Sequence, residues 1–158
     1  MGTSETGHSV TETQQRARAE LGAKDDGAKD DIELRLGANL VHLPIVRSVA
    51  VNIAMRADFD IDAISDLEMA VDESCSSLIT HAVADSVLIA RFTIDADEIG
   101  FTATVTSRES DTPNMNTFGW RVLTTLADTA VAWVEPEAGG RFHLVHIEFS
   151  KRRPVVEG

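Results

Sequence analysis

Glu73, Ser77 and His81 follow one another at intervals of four within Asp66–Ala82, whose apolar residues Leu67, Val71, Cys75, Leu78 and Ala82 are spaced by three and four. On a helix this stacks the three polar side chains along one edge of an apolar stripe that begins at Ile64. A carboxylate at the margin of a buried face can draw a proton from an attacking hydroxyl or hold a cation. The same spacing also suits a half-exposed Glu beside a core helix, which is the commoner arrangement.

Further on, Glu109 and Asp111 fall in the glycine-free stretch Ser107–Asn116, and Gly119 stands between the bulky rings of Phe118 and Trp120. His143 and His146 are three apart in a strand pattern, so they point to opposite faces and do not share a metal of the usual kind. Cys75 is the sole cysteine, which excludes an internal disulfide, and its place on the apolar stripe makes it an inert core thiol rather than a redox sensor. Lys151-Arg152-Arg153 is too short for a binding patch and reads as a solvated end.

The elements that must position these residues follow from periodicity. Ile32, Leu34 and Leu36 alternate with charged residues as a short strand, and a helical period then runs from Leu40 to Asp58, with Pro44 in its first turn. The central helix is expected over Ile61 to Ala82, capped by Asp60, with Phe59 stapled to Ile64. Two alternating runs around Asp95-Ala96-Asp97 predict a hairpin with Leu88, Ala90, Phe92, Ile94, Ile99, Phe101, Ala103 and Val105 on the apolar face. A third helix over Thr117 to Asp128 should bury Phe118, Val122, Leu123 and Leu126. Two last strands, Ala130 to Glu135 and Arg141 to Phe149, flank the turn Pro136–Gly140, with Val145, Ile147 and Phe149 inward. This order predicts an α+β two-layer sandwich, a mixed, mainly antiparallel sheet with three helices on one face.

At 158 residues the chain is of single-domain size. Residues 1–30 hold only Val10 and Leu21 as sizeable apolar side chains, so a disordered tail is expected there, within which a short helix from Thr13 to Leu21 is the one element possible. The folded domain should then span residues 31–150, with a short basic end over 151–158. The net charge is −12, and the tail's six acids and four bases leave −10 on residues 31–158. Such an acidic surface repels phosphate backbones, which argues against direct nucleic-acid binding, and suits either a basic partner or simple solubility. No apolar run approaches the roughly eighteen residues of a membrane span, and the first residues lack the pattern of a signal peptide, so a cytoplasmic protein is expected.

The run Ala70-Val71-Asp72-Glu73-Ser74-Cys75-Ser76-Ser77-Leu78-Ile79-Thr80-His81-Ala82 resembles the N-box of anti-sigma factors of the RsbW and SpoIIAB kind, above all the actinobacterial RsbW (UsfX) branch directed at sigma-F. These are small members of the histidine-kinase-like ATPase superfamily, and the resemblance covers residues 31–149. It implies that Glu73 is the general base, that His81 matches a His one turn beyond the magnesium ligand, and that Ser77 stands where an Asn would hold magnesium. It also implies that Glu109 or Asp111 replaces the Asp that reads adenine, that Gly119 is what remains of a Gly-x-Gly phosphate motif, and that Arg47 lies on a surface shared by two partners. A serine hydroxyl reaches less far than an Asn amide, a glycine-free loop lacks easy access to positive φ, and Phe118 and Trp120 are placed to fill nucleotide space.

Three weakened motifs against one retained Glu favour a binding protein over an enzyme. The expected function is sequestration of an alternative, stress-type sigma factor, relieved by a STAS-domain anti-anti-sigma partner. No cofactor is required for that role, Mg-ATP would bind at reduced affinity if at all, and a homodimer is what the resemblance implies. The runner-up is an active serine kinase that phosphorylates the STAS partner, and a third reading is an unrelated partner-switching or small-molecule role on the same fold.

Overall fold

The structure is a computed structural model and describes residues 31–155. The expected tail over residues 1–30, with its short helix, and residues 156–158 of the basic end lie outside the described residues. The elements are β1 (Asp31–Gly37), a 3-10 turn (Leu40–His42), α1 (Leu43–Arg56), α2 (Ile61–Ile79), β2 (Val87–Ile94), β3 (Glu98–Ser107), α3 (Phe118–Leu126), β4 (Thr129–Pro136) and β5 (His143–Arg152). The strands form one sheet in the order β1-β2-β3-β5-β4. Every neighbouring pair is antiparallel, so the parallel component allowed for by a mixed sheet does not occur among the described residues.

Strand parity settles the core. Phe92 pairs with Phe101, which pairs with Phe149, and the three rings follow one another at centroid separations of 4.9 and 5.3 Å. Leu88, Ala90, Ile99, Ala103, Val105, Val145 and Ile147 share that face and are buried against Val46, Ala50 and Ile53 of α1 and Leu67, Val71, Cys75 and Leu78 of α2. A one-residue slip in any strand would turn these side chains to solvent, so the register is held by burial.

The corner between α1 and α2 is closed by backbone. Asp58 adopts φ 62°, Asp58 N donates to Met55 O at 3.2 Å, and Phe59 N donates to Ala54 O at 3.0 Å. This is a left-handed helix cap with an aspartate where glycine is usual. Phe59 is buried, and the Asp60 carboxylate then accepts from Ala63 N at 2.8 Å, so the expected cap of α2 is present.

Three expectations need correction. First, α2 ends at Ile79 rather than Ala82, because Ala82 forms a bridge to Ser107 and Val83 N donates to Thr106 O at 2.8 Å, which draws the chain off the helix toward β3. Second, Phe118 is not buried by α3: it is 82% exposed, since the buried side runs through Trp120, Leu123 and Ala127 and Phe118 lies two positions away on the far side. Third, Lys151 is no solvated residue. Its side chain is 16% exposed, its Nζ donates to Leu126 O at 2.8 Å and to Asp66 Oδ2 at 3.2 Å, and it thereby satisfies a carbonyl at the C-terminus of α3.

Candidate functional site

The middle of α2 carries the site. Thr117 caps α3 by accepting from Trp120 N at 3.1 Å, which fixes the first turn of α3 opposite α2. Glu73, half-buried, faces that turn: a Cβ built on Gly119 would collide with Glu73 Oε2 and lie 3.0 Å from its Cδ. Gly119 does not have a positive φ, so what opposes a side chain there is the Glu73 carboxylate, which would have to move aside. Ser77, one turn along α2, lines the same recess with Trp120, Leu123 and Ile147. About 10 Å³ of space is left, room for about one water molecule. The carboxylate sits where the amide dipoles of α3 favour negative charge.

A neighbouring recess of about 200 Å³ opens beside the end of α2, lined by Leu78, His81, Ser107, Glu109, Asp111 and Val145. His81 Nδ1 and Glu109 Oε2 are 2.7 Å apart across its mouth, both well exposed, and Glu109 N donates to Ser107 Oγ at 3.0 Å. Pro113 and Asn114 line both recesses, so the loop before α3 forms the wall between them. The structure thus brings Glu73, Ser77 and Gly119 together and gathers His81, Glu109 and Asp111 next to them. Among the described residues no group of three His, Cys, Asp or Glu is arranged to hold a metal.

Arg47 stands apart from both recesses. Its Nη1 lies 2.6 Å from Asp72 Oδ1, the residue before Glu73, so the first helix is ionically tied to the second next to the site. Reading α1 alone missed this partner; the signal available was the acid beside Glu73. At 35% and 40% side-chain exposure the pair adds little stability, about 0–1 kcal/mol. Cys75 is fully buried, and burial first, with Asp72 second, pushes its thiol up to about 12.

A five-stranded antiparallel sheet backed by three helices, with a helix-borne Glu facing the start of a later helix, defines a two-layer α+β protein of the kind the sequence led us to expect. No family model matches the chain. It is 37% identical over 99 residues to the anti-sigma-F factor RsbW of Mycobacterium tuberculosis, strains H37Rv and CDC 1551, a match covering 61% of this chain and 58% of that protein. It is 29% identical over 58 residues to the serine-protein kinase RsbW of Bacillus cereus, covering 37% of this chain and 36% of the relative. The matched part thus spans less than two thirds of either relative. Both relatives carry the name RsbW, one as an anti-sigma-F factor and one as a serine-protein kinase.

Two outcomes follow from the packing of α2. Gly119→Ala should lower the denaturation midpoint in the wild-type background and cost markedly less in a Glu73→Ala background, because the colliding carboxylate is then gone; a double-mutant cycle in urea reads the difference. The Cys75 thiol should resist thiol reagents until denaturant is added. Because its folded value is raised from 9.0 toward about 12, the associated stability is intact below about pH 9 and is lost as pH rises toward 12, a loss absent from Cys75→Ala.

Proposed function

We propose that this chain is a cytoplasmic anti-sigma factor of the stress, sigma-F type with a degenerate nucleotide pocket, and that a STAS-domain anti-anti-sigma partner frees the sigma factor. The observation that carries the reading is the contact between Glu73 and Gly119. Phosphoryl transfer needs phosphate oxygens, magnesium and a base together at that position, and the carboxylate already fills most of it. Ser77 supplies a hydroxyl in place of a longer amide ligand, and the loop carrying Glu109 and Asp111 has no glycine. Sequestration asks less: a complementary surface that competes for the sigma factor.

The first turns of the α1 region supply such a surface. Leu40, Val41 and Ile45 are 51%, 69% and 51% exposed, a cluster of apolar side chains that water does not favour, and Arg47 lies in the same stretch. The acidity of residues 31–158 suits a basic, DNA-binding partner. Because Arg47 is engaged by Asp72, a partner acidic group would take over an existing ion pair rather than meet a free cation. No helix among the described residues is long and apolar enough to cross a membrane, in keeping with a cytoplasmic role. A homodimer is the assembly that the family resemblance implies.

The second reading is an active serine kinase acting on the STAS partner, with Glu73 as general base. It is favoured by Glu73 and Ser77 lining one recess and by the likeness to a relative named a serine-protein kinase.

Co-purification of the tagged protein with a sigma factor identified by mass tests the first reading. Arg47→Glu should weaken that capture by about tenfold or more, while Glu73→Ala leaves it unchanged; loss of capture by a folded Glu73→Ala protein would contradict the proposal. Titration calorimetry with Mg-ATP should show no binding in the micromolar range, and micromolar binding would contradict the degenerate pocket and revive the kinase reading.

A further inference from the structure

Between Ile61 and Ile79, α2 carries five acids, Asp62, Asp66, Glu68, Asp72 and Glu73, and no lysine, arginine or histidine. Two contacts fix how α3 lies beside it. At its start Gly119 is pressed against the Glu73 carboxylate, and at its end Leu126 O shares the Lys151 ammonium with Asp66 Oδ2. The two helices therefore run antiparallel, and Met69, between Asp66 and Glu73, stands midway along the seam. Successive residues of a helix turn by about 100°. Trp120 goes to the core and Gly119 to α2, so Phe118 points outward at the edge of the seam, where it is 82% exposed. On α2, Leu67 and Val71 go to the core, so Met69 points away from the sheet and is 51% exposed. Asp62, two turns before Met69, is exposed along the same line, and Glu73, one turn after it, ends the line. Arg121, the one cation of α3, lies two positions from Gly119 and so faces away from α2. The seam is thus apolar at its centre and acidic at both ends.

We propose that this seam is a docking groove for a basic amphipathic helix of another protein. The incoming helix rests its apolar side on Met69 and Phe118 and sets lysines or arginines against Asp62 and Glu73. Apolar anchors then supply affinity, and the charges at either end set orientation. Charge selects the occupant. Asp66 and Asp72 are engaged by Lys151 and Arg47, whereas Asp62 and Glu73 have no ion-pair partner among the described residues. A second copy of the chain, related by a twofold axis, would bring these acids against acids of the same seam, and an anionic membrane would be repelled by them. The groove lies on the flank of α2 away from α1, because Asp72 turns to Arg47 and Glu73, the next residue, turns to α3. It is therefore distinct from the surface of Leu40, Val41 and Ile45, and it stands whatever that surface binds.

The test is fluorescence anisotropy with the full chain and a labelled peptide of about eighteen residues made only of leucine and lysine, its leucines spaced by three and four. Binding should be saturable, one to one and in the micromolar range at physiological salt. Met69→Ala with Phe118→Ala should weaken it by about tenfold or more, and Asp62→Lys severalfold. All three side chains are exposed, so the unfolding midpoints of these variants should stay near that of the wild type. Val41→Ser with Ile45→Ser should leave the binding unchanged. Absence of binding would overturn the proposal, as would equal affinity for a scrambled peptide of the same composition, which reads charge alone. Affinity that falls with the Val41 and Ile45 substitutions, and not with those at Met69 and Phe118, would place the site on α1 and overturn it too. So would a dimer in sedimentation that Phe118→Ala dissolves, since a second copy would then be the occupant.

Discussion

The approach of the Glu73 carboxylate to Gly119 is the constraint on which the site depends. It brings the carboxylate so near α3 that a side chain at position 119 would have to displace it, and it sets an acid at the positive end of α3. Everything around it conforms: Thr117 caps the turn, Trp120 and Leu123 pack beneath, and Lys151 bonds the last turn of the same helix from the far end. The contact that orients α3 also narrows the recess shared by Glu73 and Ser77 to about 10 Å³, so one interaction both organises the recess and limits it.

Much of the fold was legible because its strands alternate cleanly. Leu88, Ala90 and Phe92, then Ile99, Phe101, Ala103 and Val105, then Val145, Ile147 and Phe149 lie inward as their period of two requires. The N-terminal cap of α2 was legible too, since Asp60 is a local signal. What failed to show was long-range. Phe118 looked like core because it is apolar, but its side of a nine-residue helix faces water. Lys151 looked like a solvated end because its partners, Asp66 and Leu126, lie 85 and 25 residues away. The end of α2 moved for the same reason: pairing with β3 outweighed the helical period.

The site was half legible. Spacing placed Glu73 and Ser77 on one edge of a helix, and the structure places them in one recess, with Gly119 opposite. Spacing could not reveal that Arg47 is held by Asp72, or that His81 reaches Glu109, since these meet only after α1, α2 and the loop beyond β3 have packed. Nor could alternation disclose the burial of the outward ring pair Trp133 and His146; parity told which way they point, not how little water they meet.

The elbow at Asp58 has a mechanical meaning. With two crossing backbone bonds, a buried Phe59 and a capped start to the next helix, it leaves α1 and α2 no slack at their joint. Together with the Arg47–Asp72 pair further along, it joins the two helices at two places, the elbow by backbone and the pair by charge. The outer turns of α1 thus stand on a helix joined at both places to the one that bears Glu73.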